Sequence, residues 1–234
     1  MKYFFLILFA LLLSTRGQAQ ESNYPFYQLY QLDSIGKSST ITRHFGELYF
    51  YFLGLVEEQL SNADTSTHRL VRHFEAVFAQ FYIDACESFH QKKAISHPSW
   101  VTYFSDTTLT PAQYYLLGAN AHLNGQLAEA IGSSYTPAEW KQLKKKYTLF
   151  NKCLNETYRY VFRETLKSSE RARLLHILSL GLDRITGNYY LYKWRKRQMR
   201  LTEYYFAISP KYKKLSEKIN RKKERIDKLV FTRL

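Results

Sequence analysis

From Ile41 onward the apolar residues recur at helical spacing. Phe45, Leu48, Phe52, Leu55 and Leu60 lie along one stripe, and Leu70, Phe74, Val77, Phe78, Phe81, Ala85 and Phe89 along a second. After a loop holding His97-Pro98-Ser99-Trp100, two helices open with nearly the same signal. Thr110-Pro111-Ala112-Gln113 and Thr136-Pro137-Ala138-Glu139 are capping boxes with proline at the first helical position. In each, the threonine hydroxyl can accept the backbone N–H three residues on while the Gln or Glu side chain reaches back. The helix from Pro137 carries Trp140, Leu143, Tyr147, Phe150, Leu154, Tyr158, Val161 and Phe162 inward as one long element. Another starts at Ser169 or its neighbour. There Leu174, Leu175, Ile177, Leu178, Leu180 and Leu182 leave almost no polar face, which predicts a central position. His176 lies within it and Gly187 is read as its end. Ser209-Pro210 opens the last helix.

No run alternates with period two, so no sheet is expected. The pattern predicts an all-α fold: a single-domain bundle of six to eight helices, centred on the helix of His122 and the leucine-rich helix Leu174–Leu182. Residues 20–40 show no clear order and read as an N-terminal arm. Residues 41–192 read as the helical core, and 193–234 as basic, aromatic C-terminal helices packed on it or extending from it.

Address changes the picture next. Met1-Lys2 precede an apolar run from Tyr3 to Leu13, and Gly17-Gln18-Ala19 offers the small residues a signal peptidase reads. The run is shorter than the roughly 20 apolar residues of a spanning helix, so residues 1–19 read as a signal peptide cleaved after Ala19. No cysteine follows to take a lipid anchor, and no later stretch approaches spanning length. The expectation is an exported protein, periplasmic or secreted. Cys86 and Cys153 can then form a bridge in an oxidising space or remain two separate buried thiols, and both readings stand.

The segment Leu116–Gly125, LLGANAHLNG, sets two asparagines and a histidine among leucine, alanine and glycine. Burying such groups without partners costs about 1–3 kcal/mol each, so the stretch implies either a fixed hydrogen-bond network or a site. Leu116, Asn120, Leu123, Leu127 and Ile131 share one face. Tyr115, Gly118, His122, Gly125 and Glu129 share a nearly opposite one. Glycine inside a helix costs ~1 kcal/mol against alanine, so Gly118 and Gly125 are expected to admit another backbone and leave room around the imidazole. Glu129, roughly 10 Å further along the axis, is too far to pair with His122 and marks where the face opens to water.

These residues carry a resemblance. Gln113, Leu116, Leu117, Gly118, Asn120, Ala121, His122, Asn124 and Leu127 resemble the QHLLLGxNAHINxDL box of an uncharacterised bacterial family known only as a domain of unknown function. Phe78, Tyr82, Asp84 and Ala85 fit its upstream FxxRYxDA helix, and Ser99, Trp100 and Phe104 a short SWxxAF segment. Phe150-Asn151 resembles its asparagine on the following helix. The chain departs from the pattern where Tyr114 replaces the first histidine, Gln126 the aspartate and Phe81 the arginine. Of a His, His, Asp set that could serve as a metal or acid–base cluster, only His122 is kept. The resemblance implies family and fold and leaves the activity open.

Other constellations are weaker. Glu87 and His90 have Glu-x-x-His spacing, but a di-iron bundle needs two such pairs, so a solvated last turn is the expected reading. His44 and Glu47 repeat the pair in reverse. Metalloprotease, nucleophile-elbow, phosphate-loop and Cys-x-x-Cys motifs do not occur. No metal set is read and no cofactor is implied.

Charge is uneven. Residues 193–234 hold 15 Lys and Arg against 4 Asp and Glu, net +11 of the chain's +14. Leu215, Ile219, Ile226 and Val230 form a narrow stripe there, and Tyr192, Trp194, Tyr204, Tyr205 and Phe206 interleave with basic residues. Lys193, Arg195, Lys196, Arg197, Arg200, Lys214, Lys218, Arg221, Lys222 and Arg225 therefore read as a surface-binding tail. Its partner would be an anionic membrane surface, an envelope glycan or an acidic protein. An exported chain rarely meets nucleic acid. Two functions follow. One is an envelope binding or structural module with a polar pocket of Asn120, His122, Asn124, Asn151, Trp100 and Asp84. The other is a hydrolase-like enzyme using His122 as base or metal ligand, altered in this member. The enzyme reading requires a carboxylate or second imidazole within hydrogen-bond reach of His122.

Overall fold

The computed structural model describes residues 24–146, 148–168, 170–178 and 182–233. Among them every regular element is helical, giving a single all-α domain. The signal peptide expected at residues 1–19 lies outside the described residues.

Three helices open the fold: α1 Tyr24–Ser38, α2 Thr40–Leu60 and α3 Thr65–His90. The segment expected to lack order therefore contains a helix. α1 packs on α2 and α3, with Leu32 almost fully buried. Ser39 ends it and caps α2, its hydroxyl accepting the N–H of Thr42 at 3.2 Å. Asp64 caps α3 in the same way through Thr67 at 2.9 Å.

A 3-10 turn, Pro98–Trp100, and the short α4, Val101–Phe104, lead into α5, Pro111–Asn120. Both expected capping boxes are made. Gln113 reaches back to the Thr110 N–H at 2.9 Å, and Glu139 to that of Thr136 at 3.0 Å. α5 runs without a break through a π-helical stretch, Ala121–Gln126, into α6, Leu127–Ser134. This rod touches α2, α3 and the C-terminal helices, and is the axle of the domain.

The element expected from Pro137 is helical on both sides of residue 147, which lies outside the described residues: α7 Pro137–Lys146 and α8 Thr148–Ser168. α9, Glu170–Leu178, corrects the reading of the leucine-rich helix as central. Leu174, Ile177 and Leu178 are 60%, 67% and 78% exposed. An apolar face is a demand for burial, and here the core is already filled by Phe, Tyr and Leu from α2, α3 and α5. The side chains of Leu175, His176, Leu180 and Leu182 lie outside the described set.

α10, Leu182–Phe206, includes Gly187, which was expected to end a helix. A Cβ there would stand 1.9 Å from the Tyr158 hydroxyl, so the glycine makes room for that ring on α8. A turn through Ile208 leads to α11, Lys211–Arg233, which runs back against α10, α5 and the π stretch. The C-terminal helices are thus packed on the core.

Candidate functional site

The π stretch decides where the polar side chains of the box point. A π turn inserts an extra residue into the i→i−4 ladder and frees backbone carbonyls for outside partners, while residues four apart share a face as they do in an α-helix. Asn120 and Asn124 share one face, joined by the Asn124 amide donating to Asn120 Oδ1 at 2.7 Å. The Asn120 amide donates to the Lys223 carbonyl at 3.0 Å and to Asp227 Oδ1 at 2.7 Å, both on α11. The released Asn124 carbonyl accepts from Gln198 of α10 at 2.7 Å. Gln113 adds a donation to the Val230 carbonyl at 3.1 Å. Asp227 also holds Lys223 at 2.5 Å, with both side chains under 10% exposed. Breaking a buried pair by removing one partner costs about 3–5 kcal/mol, because the other charge is left uncompensated. The box is therefore fastened to the C-terminal hairpin by a closed set of hydrogen bonds.

His122 and Gln126 face the other way. Gln126, which stands where the family box has aspartate, is fully buried and accepts from the Trp100 indole N–H at 2.7 Å. His122 is stacked on Phe78, ring centroids 3.4 Å apart, with Tyr49 edge-on at 4.6 Å and Phe45 at 5.4 Å. Neither ring nitrogen has a hydrogen-bond partner. Burial alone holds its pKa well below the ordinary imidazole value, so the ring is neutral. The glycines serve side chains and not backbone. A Cβ at Gly118 would stand 2.3 Å from the Phe45 ring, and one at Gly125 2.1 Å from the Ser99 hydroxyl.

A group absent from the sequence reading lies one shell beyond. Glu75 is buried between Phe74 and Phe78 on α3, and Tyr49 donates to its Oε2 at 3.1 Å. Its other oxygen has no partner, and it borders a cavity of about 10 Å³ beneath α1 with Gln28, Glu57 and Arg72. Burial pushes its pKa up to about 8, against the opposing pull of the Tyr49 hydrogen bond. The signal was available: a lone carboxylate inside the apolar stripe of α3.

The remaining expected residues do not converge. Trp100 is fully buried. Asp84 accepts from Gln80 at 2.7 Å on its own helix. Asn151 is exposed and accepts from Arg195. That bond corrects Arg195 as a surface residue: it is 4% exposed, its guanidinium taken inward among α8 and α10. His90 is exposed beside the Ser38 hydroxyl, and Glu129 is exposed beside His97, both as expected of solvated positions. Cys86 and Cys153 are separate buried thiols, whose pKa values burial raises.

No described carboxylate or imidazole reaches His122, and neither described cavity is lined by it. Among the described residues no group of three or more His, Cys, Asp or Glu stands where it could hold a metal ion. The arrangement defines an all-helical domain whose polar box is a structural fastening.

The family can now be stated. Residues 29–233 match the model of a family of unknown function, DUF5995, and the chain belongs to that family. No curated protein matches the chain. No solved structure matches it.

Two outcomes follow. His122→Leu keeps the ring's volume and deletes two unsatisfied polar atoms, so it should leave stability unchanged or raise it by about 1–3 kcal/mol. A large loss in the urea midpoint would show an imidazole bond essential to the fold. For Glu75, a folded pKa near 8 against an unfolded value of 4.5 means the native state holds the extra proton. Its contribution is complete below about pH 4.5 and is lost as pH rises through 8. Glu75→Gln, which still accepts from Tyr49, should flatten the stability profile between those limits. Parallel wild-type and variant profiles would show that Glu75 is ionised throughout.

Proposed function

We propose that this is an exported, non-enzymatic binding module that docks on an anionic surface of the cell envelope through the outer face of α10 and α11. The carrying observation is the crowding of like charge where these two helices run antiparallel. Lys222 of α11 feels Arg197 and Lys193 of α10 as well as Lys218 and Arg225 of its own helix, and desolvation together with these cations lowers its pKa. Lys196, Arg200, Lys214, Lys218, Arg221 and Arg225 are exposed, while Lys193, Arg197 and Lys222 are half-buried.

Of the four carboxylates of residues 193–234, two are turned away from this face, and exposed Glu217 and Glu224 on α11 are outnumbered by the cations around them. Asp227 is held inward by Asn120 and Lys223, and Glu203 is paired with Lys144 of α7. The fastening of α11 takes Asp227 and Lys223 inward as a pair and leaves seven other Lys and Arg of that helix exposed. A predominantly positive ridge attracts polyanions and is relieved by them. The export part of the reading is supported by the leader-like residues 1–19. The enzyme reading lacks support, since His122 has no described group to act with.

The test is co-sedimentation with acidic vesicles (phosphatidylglycerol and phosphatidylcholine) and retention by immobilised polyphosphate. Binding to at least one should appear near ~0.1 M salt and fade towards ~1 M as the Debye length shrinks. Lys193→Glu, Lys218→Glu and Lys222→Glu together should abolish it without lowering stability. Indifference to both anions, or binding unaffected by the charge reversal, would overturn the proposal.

A further inference from the structure

Resting on that anionic-surface reading, we infer that the surface is a lipid bilayer and that α9 is the element that enters it. α9 lies between α8 and α10 in the chain, ahead of the cations of α10, and contacts both helices. Leu174, Ile177 and Leu178 are more exposed than any other aliphatic side chains described except Ile208. Three large aliphatics on one nine-residue helix form the contiguous apolar patch that marks an interaction surface.

The surface of the next helix, α10, selects the occupant. Tyr189, Tyr190 and Tyr192 open the described face of α10, each just over half exposed. Tyrosines of this kind, apolar in body and polar at the tip, suit the headgroup layer. Lys193 sits over the Tyr189 ring at 4.3 Å and also belongs to the cation cluster around Lys222. The aromatic and cationic surfaces are therefore continuous. Between Arg159 and Arg200 the chain carries eleven Lys and Arg against Glu164, Glu170 and Asp183.

A second copy of this chain would bring the same positive ridge against itself, whereas an acidic bilayer complements the charge and accepts the aliphatics. A soluble polyanion or a glycan would satisfy the cations and leave Leu174, Ile177 and Leu178 in water. Among the described residues no helix is long and apolar enough to cross a membrane. α9 would thus lie in the interface, its aliphatic face buried roughly 5–10 Å into the headgroup boundary. Charge brings the domain to the lipid, and α9 adds an apolar contribution that makes binding to vesicles fade at higher salt than binding to polyphosphate.

The experiment places a fluorescent bimane on Ile177→Cys in the purified protein; Cys86 and Cys153 are buried and stay unlabelled. Acidic vesicles containing brominated acyl chains should quench the probe, and neutral vesicles should not. In parallel, Leu174→Ser with Ile177→Ser and Leu178→Ser should weaken partitioning about tenfold or more at ~0.3 M salt, with polyphosphate retention unchanged. All three positions are exposed, so the variant should keep the wild-type urea midpoint. Vesicle binding with an unquenched probe, or equal partitioning of the serine variant, would overturn insertion while sparing the anionic-surface reading. Retention by polyphosphate with no sedimentation on vesicles would overturn the lipid assignment. Failure to bind either anion would overturn both.

Discussion

The domain depends on one buried carboxamide. Asn120 sits at the junction of α5 and the π stretch with no exposed surface, and its polar atoms are matched to Lys223, Asp227 and Asn124. In a low-dielectric interior an unmatched amide is costly, while a matched one admits only one geometry. α11 can therefore sit on the rod in one register. Gln113, holding the Val230 carbonyl about two turns away, fixes the same register a second time.

From this follow the differences between the two faces of the box. The side bearing Asn120 and Asn124 is polar because it meets a helix rich in charge, whose Lys223 and Asp227 it accommodates. The side bearing His122 is apolar because it meets the aromatic sheath of α2 and α3. One short segment serves both because residues four apart share a helix face, Asn120 with Asn124 and His122 with Gln126. The same register determines the exterior. With Asp227 and Lys223 paired inside, the exposed charges of α11 are seven Lys and Arg against Glu217 and Glu224.

Much of this was legible in the residues. The capping boxes at Thr110 and Thr136 are local devices, complete within four residues, and both are made. The burial of Asn120, His122 and Asn124 follows from their apolar neighbours. Their partners were not legible, because Lys223 and Asp227 lie more than 100 residues on, in a stretch so charged that any two of its residues look solvated. A trace existed: Ile219, Lys223, Ile226, Asp227 and Val230 share one stripe, which places an ion pair on the apolar face. α9 failed in the opposite direction. Apolar residues on every side ordinarily mean a central helix, but periodicity reports a face's need for cover without identifying what covers it. Gly187 misled for a related reason, since its small size serves the Tyr158 ring on another helix and not a local turn.

The central claim is that Asn120 and Asp227 act as one joint between the box and the C-terminal helix. A double-mutant cycle on Asn120→Ala and Asp227→Ala, read by urea denaturation, measures this directly. The account predicts that each single change costs about 2 kcal/mol or more and that the two interact by about 1–3 kcal/mol. Losses that simply add, or an Asn120→Ala protein as stable as the wild type, would contradict it.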